Sequence, residues 1–284
     1  MQSYLNVFFD ENCYQKDFPC QLGAAAYVYA LNKKRRSISI SSFFKSISLA
    51  INQRRILFCY FNGEIDCLHI WAYLNCDAED KVLISHFASF DISDWSSGHN
   101  LWLVDSVSVS GENIMRNRPV LRHVIRRKVL IKRLKGRNAL VVAASKKNEA
   151  AAYIRKYVGD ELRLQDNSNF LKIGNICILL AQCERYRFLK MEYIEKKIFS
   201  FIFDNRNIIF YNEDGMVVGC VFWSEKNFLG EFVEMEIEEI IAPFGNLIYM
   251  WKHLREFVGD KYKKITYVRY KKNNVDYRFE RILK

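Results

Sequence analysis

The 284 residues carry 43 Lys and Arg against 32 Asp and Glu, a net charge of +11, and half of them are hydrophobic. That composition excludes a mostly disordered chain, and 3 Pro with 12 Gly exclude collagen-like or proline-rich segments. No stretch approaches the ~18 consecutive apolar residues of a membrane-spanning helix, and the opening MQSYLNVFFDENCYQ lacks the basic and apolar regions of a secretory signal.

At roughly 150 residues per domain the length predicts about two domains. Residues 41–52 (SSFFKSISLAIN) have a helical apolar period. Arg55 to Phe61 and Ile65 to Leu74 are β-rich runs around Asn62-Gly63, a strong hairpin signal. Asp77 is placed to cap a helix reaching about Ala88, and Leu101 to Asp105 reads as a strand. Glu112 to Lys135 is a strongly basic helical stretch broken at Pro119. Asn138 to Ala144 is a buried-type strand, and Lys146 to Val158 a helix ending at Gly159.

The second half repeats the rhythm. Strands are expected at 207–211, 216–223, 235–242 and 265–270, with a turn at Glu213-Asp214-Gly215 and a helix at 247–257. ILFCYFNGEIDCLHIWAYL (56–74) matches IIFYNEDGMVVGCVFWS (208–224), and VVAASKKN (141–148) resembles YVRYKKNN (267–274). Self-similarity at this period predicts a duplicated domain rather than a solenoid. The polar segment GDELRLQDNSN places the boundary so that the domains are 1–162 and 163–284. The fold class expected is α/β (α+β): two tandem units, each a central, mostly antiparallel sheet flanked by helices, of the N-acetyltransferase type.

The eight cysteines form no CxxC pair, and most lie in apolar runs, so they read as small free hydrophobes in a reducing, cytoplasmic compartment rather than metal ligands. GxGxxG, GxxxxGK[ST], HExxH and GxSxG are all absent.

The most specific string runs from Trp71 to Asp105. Asp94-Trp95-Ser96-Ser97-Gly98, followed by Trp102 and Asp105, resembles the signature of the toxin-activating lysine acyltransferases, bacterial enzymes that acylate RTX haemolysins. Trp71-Ala72-Tyr73-Leu74 and Leu22-Gly23 match further family features. The family continues its signature with Ile-Ala-Pro-Phe-Gly, which here appears in the second half as Ile241-Ala242-Pro243-Phe244-Gly245. The resemblance implies an N-acetyltransferase-like fold and transfer of a fatty acyl group from acyl carrier protein to a toxin Lys, using a His and the signature Asp. In the second half Glu239 aligns with Asp105. The family His falls on Arg35 in the first half and on Tyr186 in the second, so neither half has the His–Asp pair. Arg stays protonated and cannot act as a base.

Candidate catalytic residues are therefore Asp105, Glu239 and His99, the last because it lies in the signature loop six residues before Asp105. Candidate substrate-binding residues are Arg35, Arg36, Ser97, Trp102, Arg122 and Arg126. Arg116 to Arg137 carries ten Lys and Arg, which suits an acidic carrier protein or anionic ligand; nucleic acid ranks last because no binding signature accompanies the charge. No metal is expected, and acyl carrier protein or ATP would supply the activation.

The worn sites and the duplication resemble the larger protein of a siderophore-microcin modification complex. That reading implies a smaller acyltransferase-like partner, and a glucosylated catecholate siderophore joined by an ester to the C-terminal Ser of the peptide. The alternatives are fatty acylation of a toxin Lys and a non-catalytic scaffold that holds peptide and partner.

Overall fold

Helix α1 (Phe18–Leu31) is apolar around nearly its whole circumference, and most of its residues are buried. The computed structural model describes residues 18–61, 64–85, 90–109, 131–135, 138–142, 167–228, 232–243, 247–258, 262, 264–270 and 276–282.

After α1 comes α2 (Ile40–Asn52), capped by Ser39, whose hydroxyl accepts from the Ser42 amide at 3.2 Å. Its stripe of Ile40, Phe43, Ile47, Ala50 and Ile51 is buried. Strands β1 (Ile56–Phe61) and β2 (Glu64–Leu74) form the expected hairpin, with Phe61 opposite Glu64. Helix α3 (Cys76–Ser85) begins two residues earlier than the sequence suggests: Asn75, not Asp77, caps it by accepting from the Ala78 amide. A 3₁₀ turn (Ile92–Trp95) leads into β3 (Asn100–Ser108), then β4 (Ile131–Lys135) and β5 (Asn138–Val142).

The second half runs α4 (Asn167–Gln182), a π turn (Ile194–Ile198), α5 (Phe199–Phe203), β6 (Asn207–Tyr211), β7 (Val217–Phe228), β8 (Phe232–Ile241), α6 (Leu247–Val258), β9 (Lys264–Tyr270) and β10 (Asp276–Ile282).

The helical expectation for 112–135 is corrected at its end, because Ile131–Lys135 is a strand paired in parallel with β3. Its β-branched and Leu residues fit a pleated sheet, and sheet pairing overrides the helical period. The rest of that stretch, the helix expected at 146–158 and the domain boundary at 162/163 lie outside the described residues.

Each half builds one five-stranded sheet, in the orders β1-β2-β3-β4-β5 and β6-β7-β8-β9-β10. Both are mixed, with one parallel pair (β3 with β4, β8 with β9) among antiparallel ones. The loops agree bond for bond. Arg35 and Ile38 amides donate to Asn32 and Arg35 carbonyls, as Tyr186 and Leu189 amides do to Cys183 and Tyr186. Arg54 and Asn205, at matching places, both have positive φ (53° and 55°). The match between VVAASKKN and YVRYKKNN does not carry over: the first covers the end of β5, the second the end of β9, and these are different places in their sheets.

The halves meet about a pseudo-twofold axis. A Cβ on Gly23 would lie 1.8 Å from the Phe170 carbonyl oxygen, and one on Gly174 would lie 1.6 Å from that of Pro19. The same symmetry pairs Ser39 with Lys190 in an antiparallel bridge, flanked by Ile40 N–H to Leu189 O and Met191 N–H to Ile38 O. One continuous core runs through α1, α2, α4, α5 and the inner faces of both sheets. A second, smaller core lies between the outer face of β6–β9 and α6. The first half alone carries the α3 and 3₁₀ excursion between β2 and β3; β7 turns directly into β8, with Phe228 opposite Phe232.

Candidate functional site

A β-bulge leaves one residue unpaired and re-aims the side chains beyond it. In β3 the register runs from Ile70 opposite Asp105 to Trp71 opposite Leu103, so Val104 is the extra residue. In β8, Phe222 faces Glu239 and Trp223 faces Ile237, leaving Glu238 over. An acidic residue therefore stands directly after the same bulge in both halves.

The bulge also marks the end of the parallel pairing. β4 pairs with β3 only at Trp102 and Leu103, and β9 pairs with β8 only as far as Ile237. From Val104 and Glu238 onward, no described strand lies on that flank.

The two carboxylates are held differently. Asp105 Oδ1 accepts from Arg35 Nη2 at 2.6 Å and from the Ser106 amide at 2.8 Å, and Oδ2 accepts from Tyr29 Oη–H at 2.7 Å. Its side chain is 14% exposed. Tyr29 comes from the last turns of α1. Arg35 is set by Asn32, whose Oδ1 accepts from the Lys34 and Arg35 amides and whose Nδ2 donates to the Ser108 carbonyl. Glu239 Oε1 accepts a short hydrogen bond from Tyr186, the residue matching Arg35, and lies 3.6 Å from Arg185 Nη1. Glu239 Oε2 has one long contact, Tyr193 Oη at 3.5 Å.

Burial, reinforced by the neighbouring carboxylate, raises the pKa of Tyr29, Tyr186 and Tyr193 above the usual phenol value. A folded pKa above the unfolded one means stability that is present below about pH 10 and lost as pH rises beyond it. The phenolate absorbance of the native protein should therefore lag that of the unfolded chain above pH 10. Unfolding should also become easier there, and coincident native and unfolded titrations would contradict it.

The signature loop plays a structural part. Asp94 is 7% exposed; it receives Lys81 Nζ at 2.9 and 3.0 Å and the Asp91 amide at 2.9 Å. Burial opposes this carboxylate's ionisation, but the Asp91 amide and the Lys81 ammonium outweigh it and lower its pKa. Ser97 Oγ accepts from the Asn75 amide and donates to the Asp94 carbonyl. Trp102 is 1% exposed and its indole N–H donates to Glu79 at 2.7 Å. A Cβ on Gly98 would come within 2.4 Å of the Asn75 amide and the Leu74 carbonyl. Gly98→Ala is expected to cost ~2 kcal/mol or more in denaturant unfolding, since backbone must move to admit it. A cost near zero would show the loop yields freely.

The remaining candidates fall elsewhere. His99 is exposed and precedes Asn100, which pairs with Leu74, at the opposite end of β3 from Asp105. Six residues of strand separate them by about 20 Å, so the two do not share a site. Arg36 Nη1 reaches Glu195 at 3.8 Å across the pseudo-twofold axis. Arg122 and Arg126 lie outside the described residues. Tyr29, Tyr193 and Arg185 were not singled out by the sequence, where nothing marks a lone Tyr or Arg far along the chain from the acid it contacts. Among the described residues no group of three His, Cys, Asp or Glu could hold a metal ion, and no helix is long and apolar enough to cross a membrane.

Residues 15–151, just under half of the chain, match the family model of the RTX toxin acyltransferase family (HlyC). The matched stretch contains α1 to β5, and so the Tyr29–Arg35–Asp105 clasp and the signature loop. No curated protein matches the chain in sequence.

Proposed function

We propose that the chain acts in the maturation of a bacterial peptide toxin, as two tandem units of the RTX acyltransferase kind that together transfer an acyl group. The observation that carries this is a carboxylate directly after the same bulge in each half, with no described strand beside it, the first of them in a segment that matches the family. A nucleophile attacking a thioester must shed a proton, so a carboxylate placed to take it suits the reaction. Incubating the chain with a fatty-acyl thioester of acyl carrier protein and a toxin precursor should release free carrier thiol only when all three are present. No release, or equal release without precursor, would overturn the reading.

In its finer form the acceptor is the C-terminal Ser of a microcin, joined by an ester to a glucosylated catecholate siderophore, and a smaller acyltransferase-like partner works with this chain. No His among the described residues contacts either carboxylate, and a partner that brings one fits this reading.

A second reading, a scaffold that binds peptide and partner without chemistry, is favoured by the Arg35–Asp105 ion pair, which occupies the first carboxylate.

A further inference from the structure

Two acids at equivalent bulges invite the assumption that they do equal work, but their surroundings differ in kind. Every described contact of Asp105 is a close donor, one of them a guanidinium, and both oxygens are taken. Arg35 is tied to the β3 backbone through Asn32, so the clasp joins the end of α1 to the strand. Protonating Asp105 therefore weakens an ion pair, because its Oδ1 is shared by the Arg35 guanidinium and the Ser106 amide.

Glu239 is one methylene longer, 24% exposed at its side chain, and held mainly by neutral phenols. Tyr186 fixes Oε1, while among the described residues Oε2 has only the 3.5 Å contact with Tyr193. Arg185, the nearest described cation, is 60% exposed and 3.6 Å away, where solvent screens it.

We infer that the halves have divided the work: Glu239 is the proton acceptor, with Tyr186 its positioning residue, and the Tyr29–Arg35–Asp105 cluster is a structural clasp. This rests on the acyl-transfer reading above. In the step, an acyl thioester and an acceptor bearing an O–H or N–H group combine. The bond from acyl carbon to the acceptor atom forms and the carbon–sulfur bond breaks. The acceptor's proton passes to Glu239 Oε2 and from there to the departing thiolate. The phenols, kept neutral by burial and by the carboxylate itself, remain donors throughout.

The test is a crossed pair of variants, read for both transfer and stability. Glu239→Gln keeps an oxygen for Tyr186, and should lower the transfer rate ~100-fold or more with little change in Tm. Glu239→Asp should recover part of that rate. Asp105→Asn strands Arg35, and should lower Tm by ~5 °C. Its transfer should fall only in proportion to the folded fraction. Loss of transfer in Asp105→Asn with Glu239→Gln active, or no loss in either, overturns the inference and leaves the acyl-transfer reading standing.

If the wild-type chain transfers nothing, the acyl-transfer reading is what fails, and carboxylate labelling decides the inference. With a water-soluble carbodiimide and glycine ester, mapped by peptide mass, Glu239 should label several-fold faster than Asp105. Equal labelling, or faster labelling of Asp105, overturns the inference.

Discussion

Gly174→Ala is expected to cost ~3 kcal/mol or more of stability, the largest effect of any Gly→Ala change among the described glycines. The added carbon would sit 1.6 Å from the Pro19 carbonyl oxygen and 2.5 Å from its carbon. Both are backbone atoms of a buried helix, so α1 and α4 must separate. Separation opens the core that both halves share, because Leu22, Ala26, Ile173, Ile176 and Leu180 belong to one cluster. Gly23→Ala should behave alike, since its Cβ meets the Phe170 carbonyl at 1.8 Å by the same symmetry. Gly219→Ala is the contrast: its nearest contact is the Met250 sulfur, the far end of a flexible side chain, and its cost should be smaller. Chemical denaturation ranks the three. A ranking with Gly219→Ala worst would contradict the account of how the halves meet.

Trp102→Ala should cost ~3–5 kcal/mol. The indole is fully buried against the first-half core and its N–H donates to Glu79, so truncation leaves both a cavity and a lost hydrogen bond. Trp102→Phe separates the two contributions, keeping most of the volume and losing the donor; it should cost ~1–2 kcal/mol. A substrate-binding Trp would behave differently, losing affinity with little loss of stability, and that outcome would return Trp102 to the binding surface.

Much of this architecture was legible in the sequence. The Asn62-Gly63 hairpin, the strand–turn–strand–Trp match of 56–74 with 208–224, and the alignment of Asp105 with Glu239 all fall at equivalent places in the two sheets. The matching of Arg35 with Tyr186, reached by counting from the two glycines, places both beside the carboxylate of their own half. What the sequence hid has physical causes. α1 is apolar on nearly every face, so it shows no amphipathic period to read. β4 carries Lys132, Arg133 and Lys135, which continue the basic run before it, and only its pairing with β3 decides. The clasp depends on contacts 70 and 76 residues apart, which no local pattern records. Within the signature, Ser97 bonds the Asn75 amide at the end of β2, Trp102 bonds Glu79 of α3, and His99 lies at the far end of the strand from the acid.

The central claim is that this chain acylates a peptide toxin, and the intact mass of the precursor tests it most directly. A toxin precursor purified from cells expressing the chain should be heavier by the mass of the transferred acid less one water, with the increment on a single residue. Cells carrying Glu239→Gln should yield the unmodified mass. An identical precursor mass with and without the chain would contradict the account.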